Sequence, residues 1–161
     1  MGGLKRAPRW LTSWRPNTLP GNGGLSLVPE STRARTSGAA AILVVDDDDP
    51  VRVMLARLLR TQGYAVSQAK DAETAREALD AHRPDLVISD IVMPGESGIE
   101  LRRTIAGLWP ELPVILISGY SAEGPAEFAA RTPKTTFVQK PFAADHFLAL
   151  VKQTLTAADA L

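Results

Sequence analysis

Ile42-Leu43-Val44-Val45-Asp46-Asp47-Asp48-Asp49-Pro50 decides the fold of this 161-residue chain. Four apolar residues run without interruption into four carboxylates and a proline. An apolar run this short, bounded by a charged turn, reads as a strand buried on both faces. The next segment reads as a helix with Asp49 at the N-cap and Pro50 at N1. Its apolar stripe is Val51, Met54, Leu55, Leu58 and Leu59, spaced by three and four, and Gly63 ends it.

The same alternation continues outward. A second strand is expected at 64–68, then a helix at 72–82 whose inner positions Ala75, Ala78 and Leu79 are mostly small. Leu86-Val87-Ile88-Ser89-Asp90 is the third strand. Pro94-Gly95 and Gly98 mark a turn before a helix carrying Leu101, Ile105 and Leu108. A fourth strand at 114–118 ends in Ser118. Gly119, Gly124 and Pro125 leave a loose connection before a weak helix at 126–131. Thr135-Thr136-Phe137-Val138-Gln139 is the fifth strand and ends at Lys140-Pro141, and Phe147, Leu150, Val151 and Leu155 supply the last amphipathic face. Strands alternating with helices imply a parallel sheet covered on both sides, an α/β doubly wound architecture.

Composition separates the chain into two parts. Residues 1–38 hold six Lys or Arg against Glu30 alone (+5), whereas residues 39–161 hold twelve against seventeen Asp or Glu (−5). The first part carries Pro8, Pro16, Pro20, Pro29 and the run Pro20-Gly21-Asn22-Gly23-Gly24, with no sustained period of 2 or 3.6. It is expected to be a disordered, basic, Pro/Gly-rich N-terminal extension. Its arginines resemble those of a transit peptide, but the prolines and glycines break any long amphipathic helix. Trp10 and Trp14 read as exposed aromatics in a coil. The acidic balance of residues 39–161 argues against direct nucleic-acid binding there. No stretch approaches the roughly 18 consecutive apolar residues that cross a bilayer, so no membrane span is expected. The absence of cysteine removes disulfides, thiolate metal sites and thiol chemistry, and fits a cytoplasmic protein.

Chemistry gathers at the strand ends. In open α/β sheets the ligand site lies outside the carboxyl ends of the strands, where strand order reverses. Asp46, Asp47, Asp90, Ser118 and Lys140 all fall at such ends. Unit charges near 4 Å repel by about 4 kcal/mol at an effective dielectric of 20, so the carboxylates need cations. Lys140 offers one. Hard oxygen donors with room for water suit Mg²⁺, or Mn²⁺ as a substitute. A carboxylate can attack phosphorus to form an acyl phosphate when cations neutralise the transferring oxygens. The paired Asp46 and Asp47 best suit the metal, and the solitary Asp90 the nucleophile.

Ile42-Leu43-Val44-Val45-Asp46-Asp47, Leu86-Val87-Ile88-Ser89-Asp90 with Met93-Pro94-Gly95 and Gly98, Ile115-Leu116-Ile117-Ser118-Gly119, and Lys140-Pro141-Phe142 together resemble the receiver domain of two-component response regulators, the CheY-like superfamily. The resemblance covers residues 41 to about 155 and places a receiver domain at 39–158. It implies a flavodoxin-like, five-stranded sheet of order 2-1-3-4-5. It further implies that Asp90 accepts a phosphoryl group from a histidine kinase or phosphotransfer protein. By the same likeness Asp46, Asp47, Asp90 and the Val92 backbone carbonyl hold Mg²⁺, and Ser118 and Lys140 bind phosphoryl oxygens. Phe137 stands at the switch aromatic, and the Lys140-Pro141 bond is expected to be cis. Val92 and Tyr120 would flank the route of a hydrolytic water and slow it.

The function expected is a phosphorylation-driven switch that changes a protein-binding face for a downstream partner, without catalysis beyond its own phosphorylation and dephosphorylation. A phosphorylation-dependent dimer is compatible with it. No output domain is seen in the sequence, so the signal would pass by protein contact or onward phosphotransfer, from a stand-alone receiver or one detached from a hybrid kinase. The alternative is a haloacid-dehalogenase-type Mg²⁺-dependent phosphohydrolase, whose Asp-x-Asp spacing Asp46 and Asp48 match. Asp90 would then be idle, and no paired aspartates follow Lys140. A third reading, a binding module with a dead site, lacks a missing site member. Asp48 is expected to touch the metal through water at most. His82 and His146 have no partner of metal spacing and are expected to face solvent.

Overall fold

The computed structural model describes residues 38–119 and 123–160. The expectations for residues 1–37, including Trp10 and Trp14, and for Tyr120 lie outside them. Five strands and five helices alternate: β1 (Ala41–Val45), α1 (Asp49–Thr61), β2 (Ala65–Ala69), α2 (Ala72–Ala81), β3 (Leu86–Asp90), α3 (Gly98–Leu108), β4 (Val114–Ser118), α4 (Glu123–Arg131), β5 (Thr135–Gln139) and α5 (Ala144–Asp159). All neighbouring strands are parallel, as the alternating pattern implied, and the order is β2-β1-β3-β4-β5, as the family resemblance implied. Strand order reverses between β1 and β3, which end at the predicted acids.

Alternate side chains of the strands feed two cores. Leu43, Val45, Val87, Val114 and Leu116 pack with α2 and α3 through Ala75, Leu79, Leu101 and Ile105. Ile42, Val44, Ile88, Ile115 and Ile117 pack with α1 and α5 through Leu55, Leu59, Phe147 and Val151. Burial of side chains this size stabilises by about 1.5–3 kcal/mol each, so the two layers hold the central strands, and with them the strand ends, in place.

Two helix faces depart from the expected stripes. Met54 of α1 is 55% exposed, and Ala56 takes a buried place beside Leu55 and Leu59. Leu108 of α3 is 41% exposed, while Arg102 is buried with Leu101 and Ile105. The Arg102 guanidinium is held at two of its three nitrogens: Nε donates to Thr135 Oγ1 at 2.7 Å and Nη2 to the Pro133 carbonyl at 2.6 Å, while Nη1 is buried without a partner among the described residues. It ties α3 to the start of β5.

The α1 cap is also one residue earlier than expected. Asp48 is the N-cap, its Oδ1 accepting the Val51 N–H at 3.2 Å, and Asp49 lies in the first turn. β2 begins one residue later than expected, and α4 starts at Glu123 rather than 126.

Gly98 is the closest backbone approach beneath the site. A Cβ there would meet the Asp90 carbonyl oxygen at 2.2 Å, while the Gly98 N–H donates to the Ile91 carbonyl at 3.0 Å. Gly98→Ala is therefore expected to destabilise the fold by about 3 kcal/mol. The check is a lower urea midpoint at unchanged slope.

Candidate functional site

β1 delivers Asp46 and Asp47, and β3 delivers Asp90, because both strands finish flush at the point where the sheet order reverses. One carboxylate oxygen from each of the three lies within 4.8 Å of the others. Asp46 is 2% exposed and Asp90 8%, whereas Asp47 faces solvent. Asp71 and Ser97 head α2 and α3 with capping boxes on the layer that covers this end of β1 and β3.

Lys140 follows β5 and reaches back across the crevice. Its Nζ stands 3.3 Å from Asp90 Oδ1 and 3.6 Å from Asp46 Oδ2. Its backbone N–H donates to the Ser118 carbonyl at 2.8 Å, which fixes the β5 exit against the end of β4. The Lys140-Pro141 bond is cis, as the family resemblance implied. Beyond it Phe142 stacks on Phe147 of α5, ring centroids 4.9 Å apart, so the segment carrying Lys140 is anchored in the α1/α5 core.

The electrostatics show why the site wants a cation. Burial pushes the Asp90 carboxyl above its ordinary value; the Lys140 ammonium and its hydrogen bond pull it back, and the charges of Asp46 and Asp47 push it further up. Asp46 is likewise raised, first by burial. The Asp48 N–H, 2.9 Å from Asp46 Oδ1, and Lys140 oppose that rise, while Asp47 and Asp48 add to it. One ammonium thus faces three carboxylates, two of them removed from water. A hard divalent cation bound by the three oxygens would offset the remaining negative charge, and the all-oxygen donor set fits Mg²⁺ or Mn²⁺.

Of the residues expected from sequence, Asp46, Asp47, Asp90 and Lys140 are brought together directly. Ser118 is buried at the end of the neighbouring strand, one step beyond Ile117, the register partner of Asp90. Val92 lies two residues past Asp90 with its side chain exposed. Phe137 is half-buried on β5 against the α2/α3 core, away from the carboxylates in sequence and on the same layer as Phe128 of α4. His82 and His146 are exposed. The Asp-x-Asp pair of the phosphohydrolase alternative is not assembled: Asp48 caps α1 and does not join the carboxylate cluster. Arg52, which the sequence did not single out, donates from Nη1 to the Asp46 carbonyl at 2.7 Å and pairs through Nη2 with Asp49.

No helix among the described residues is long and apolar enough to cross a membrane. Residues 42–152 match the family model of the response regulator receiver domain. The chain is 34% identical over 116 residues to the nitrogen assimilation regulatory protein NtrX of Azorhizobium caulinodans, which spans 71% of this chain and 26% of that protein. It is 34% identical over 125 residues to the sensor kinase CckA of Brucella abortus, covering 76% of this chain and 13% of the kinase. The chain therefore matches only about a quarter or less of these relatives' length. The crystal structure of the receiver domain of NtrX from Brucella abortus superposes with a TM-score of 0.68 at 36% identity, over 71% of this chain and 98% of that one. With its sheet order, its acid pocket and its motifs in agreement, the chain belongs to the family of response regulator receiver domains of two-component signalling.

Proposed function

We propose that residues 39–158 form a receiver that takes a phosphoryl group onto Asp90 from a histidine kinase or phosphotransfer protein, with residues 1–38 as a basic extension to it. The observation that carries this reading is the convergence of three carboxylates and one ammonium on the strand-order reversal. An Asp90 oxygen attacks the phosphorus of a phosphohistidine. The P–N bond breaks, its electron pair stays on the donor imidazole, and an acyl phosphate forms on Asp90. Asp46, Asp47, Asp90 and the Val92 carbonyl would hold Mg²⁺, which when bound neutralises charge on the transferring oxygens. Lys140 and the Ser118 hydroxyl bind the phosphoryl oxygens that the cation leaves.

The consequence is a switch. Ser118 drawn toward the phosphoryl group leaves space on the β4/β5 side, Phe137 turns inward, and the face of α4, β5 and α5 changes for a downstream protein or a second copy of the chain. Kinship with both a nitrogen regulator and a sensor kinase fits a receiver of either a response regulator or a hybrid kinase. Incubation with acetyl phosphate tests the site: incorporation is expected with Mg²⁺ or Mn²⁺ and falls at least about a hundredfold with EDTA. Incorporation indifferent to chelation would show that no metal takes part.

A further inference from the structure

We propose that Arg52 is a positioning residue that holds the acid loop in its metal-binding shape, an inference that rests on the proposed Mg²⁺ site. Asp46 is the last point at which β1 is held by its neighbours. Its N–H still donates to the Ala69 carbonyl of β2 at 3.1 Å, but the chain then leaves the sheet, and the Asp46 carbonyl accepts from Arg52 Nη1 at 2.7 Å. The second arm of the same guanidinium pairs with Asp49 in the first turn of α1. One planar fork thus joins the start of the loop to the first turn of α1 through two separate nitrogens, whereas a lysine would have to meet both oxygens from a single one.

The Arg52 side chain is only 14% exposed, so the bond to the Asp46 carbonyl is sheltered from competing water. Asp46 is thereby fixed from both sides of its backbone. Its carboxylate is then set by the Asp48 N–H at 2.9 Å, a contact that exists only while the loop keeps this curvature. Asp47, which lies between, has no shelter of its own, and its direction is dictated by the two residues that flank it.

Charge and geometry make opposite predictions here. If Arg52 acted on the site through its charge, neutralising it would favour a divalent cation and tighten Mg²⁺ binding. If it acts by holding the loop, the same change weakens binding in spite of the removed positive charge. Arg52→Met keeps an apolar stem of similar reach and loses both donors. Asp49→Asn removes the ion pair, leaves an acceptor oxygen, and spares the Asp46 contact.

Two measurements on the full chain test this without any phosphodonor. In a titration with Mg²⁺ alone, Arg52→Met is expected to raise the Kd about tenfold, the size of one lost charge-assisted hydrogen bond, while Asp49→Asn stays within about twofold. In metal-free protein, exchange of the Asp48 amide is expected to speed up at least about tenfold in Arg52→Met, with the core amides of Val44 and Ile88 unchanged. A Kd in Arg52→Met that is unchanged or lower overturns the proposal, as does an equal loss in Asp49→Asn, or an acceleration shared by the core amides. Should the wild-type chain bind no Mg²⁺, the metal reading of the site fails, and the exchange of the Asp48 amide alone then decides whether Arg52 holds the loop.

Discussion

Asp90→Asn is expected to abolish phosphoryl incorporation, lowering the rate with acetyl phosphate at saturating Mg²⁺ by at least about a thousandfold, a barrier increase of roughly 4 kcal/mol. The amide keeps the size and one acceptor oxygen of the carboxylate but has neither its charge nor its nucleophilicity. No other described acid can replace it: Asp46 is committed to the Asp48 N–H and Lys140, and Asp47 is solvent-facing. The same substitution removes a charge that burial, Asp46 and Asp47 already disfavour at this position, so the folded state should not suffer. Loss of incorporation with an unchanged or higher unfolding midpoint identifies chemistry rather than misfolding as the cause. Incorporation within tenfold of wild type would mean that another residue accepts the group.

Lys140→Met should destabilise the metal-free protein at neutral pH by about 2 kcal/mol. That is a discount on the 3–5 kcal/mol of a fully buried pair, because the lysine is partly solvated. The sign of the pH dependence comes from the raised proton affinities of Asp46 and Asp90. A carboxyl whose folded pKa lies above its unfolded value of about 3.9 contributes stability that is fully present below that value and lost as pH rises through the folded one. Metal-free protein should therefore be more stable in mild acid than these two groups allow at neutrality, and Lys140→Met should steepen that loss. Saturating Mg²⁺ should restore stability in both, by about 2.7 kcal/mol at a hundredfold excess over Kd. Denaturant midpoints from the ordinary carboxylate range up to neutrality, with and without Mg²⁺, measure all of this. A Lys140→Met chain as stable at neutral pH as wild type would show that the ammonium does not balance the buried acids.

Much of this was legible in the sequence for a simple reason. β1 and β3–β5 are short apolar or β-branched runs that stop abruptly, so their ends are sharply marked, and the functional residues stand at those ends: Asp46 after Val45, Asp90 closing Leu86–Asp90, Lys140 after Gln139. Parallel pairing then brings Lys140 to Asp90, 50 residues earlier in the chain, and to Asp46, earlier still. Less legible were features set by competition among equivalent residues. Any of four successive aspartates could cap α1, and proline is tolerated anywhere in the first turn, so the backbone rather than composition selected Asp48. A helical period could not tell that Leu108 would stay exposed while Arg102 was buried. An arginine reads as solvated until Thr135 and the Pro133 carbonyl, 31 residues or more away, are seen to receive it. The role of Arg52 was hidden in the same way, because its partner at Asp46 is a main-chain carbonyl, which leaves no mark in a sequence.

All of the proposed chemistry depends on Asp90 becoming the acyl phosphate, with its charge shared between a metal held by Asp46 and Asp47 and the Lys140 ammonium. The decisive experiment is to phosphorylate the chain with acetyl phosphate and Mg²⁺, trap the adduct by borohydride reduction, and locate the reduced residue by peptide mass mapping. A hydroxylamine-labile adduct confined to Asp90 is expected. A modification at Asp46, an acid-stable phosphate on Ser118, or no adduct at all would contradict it.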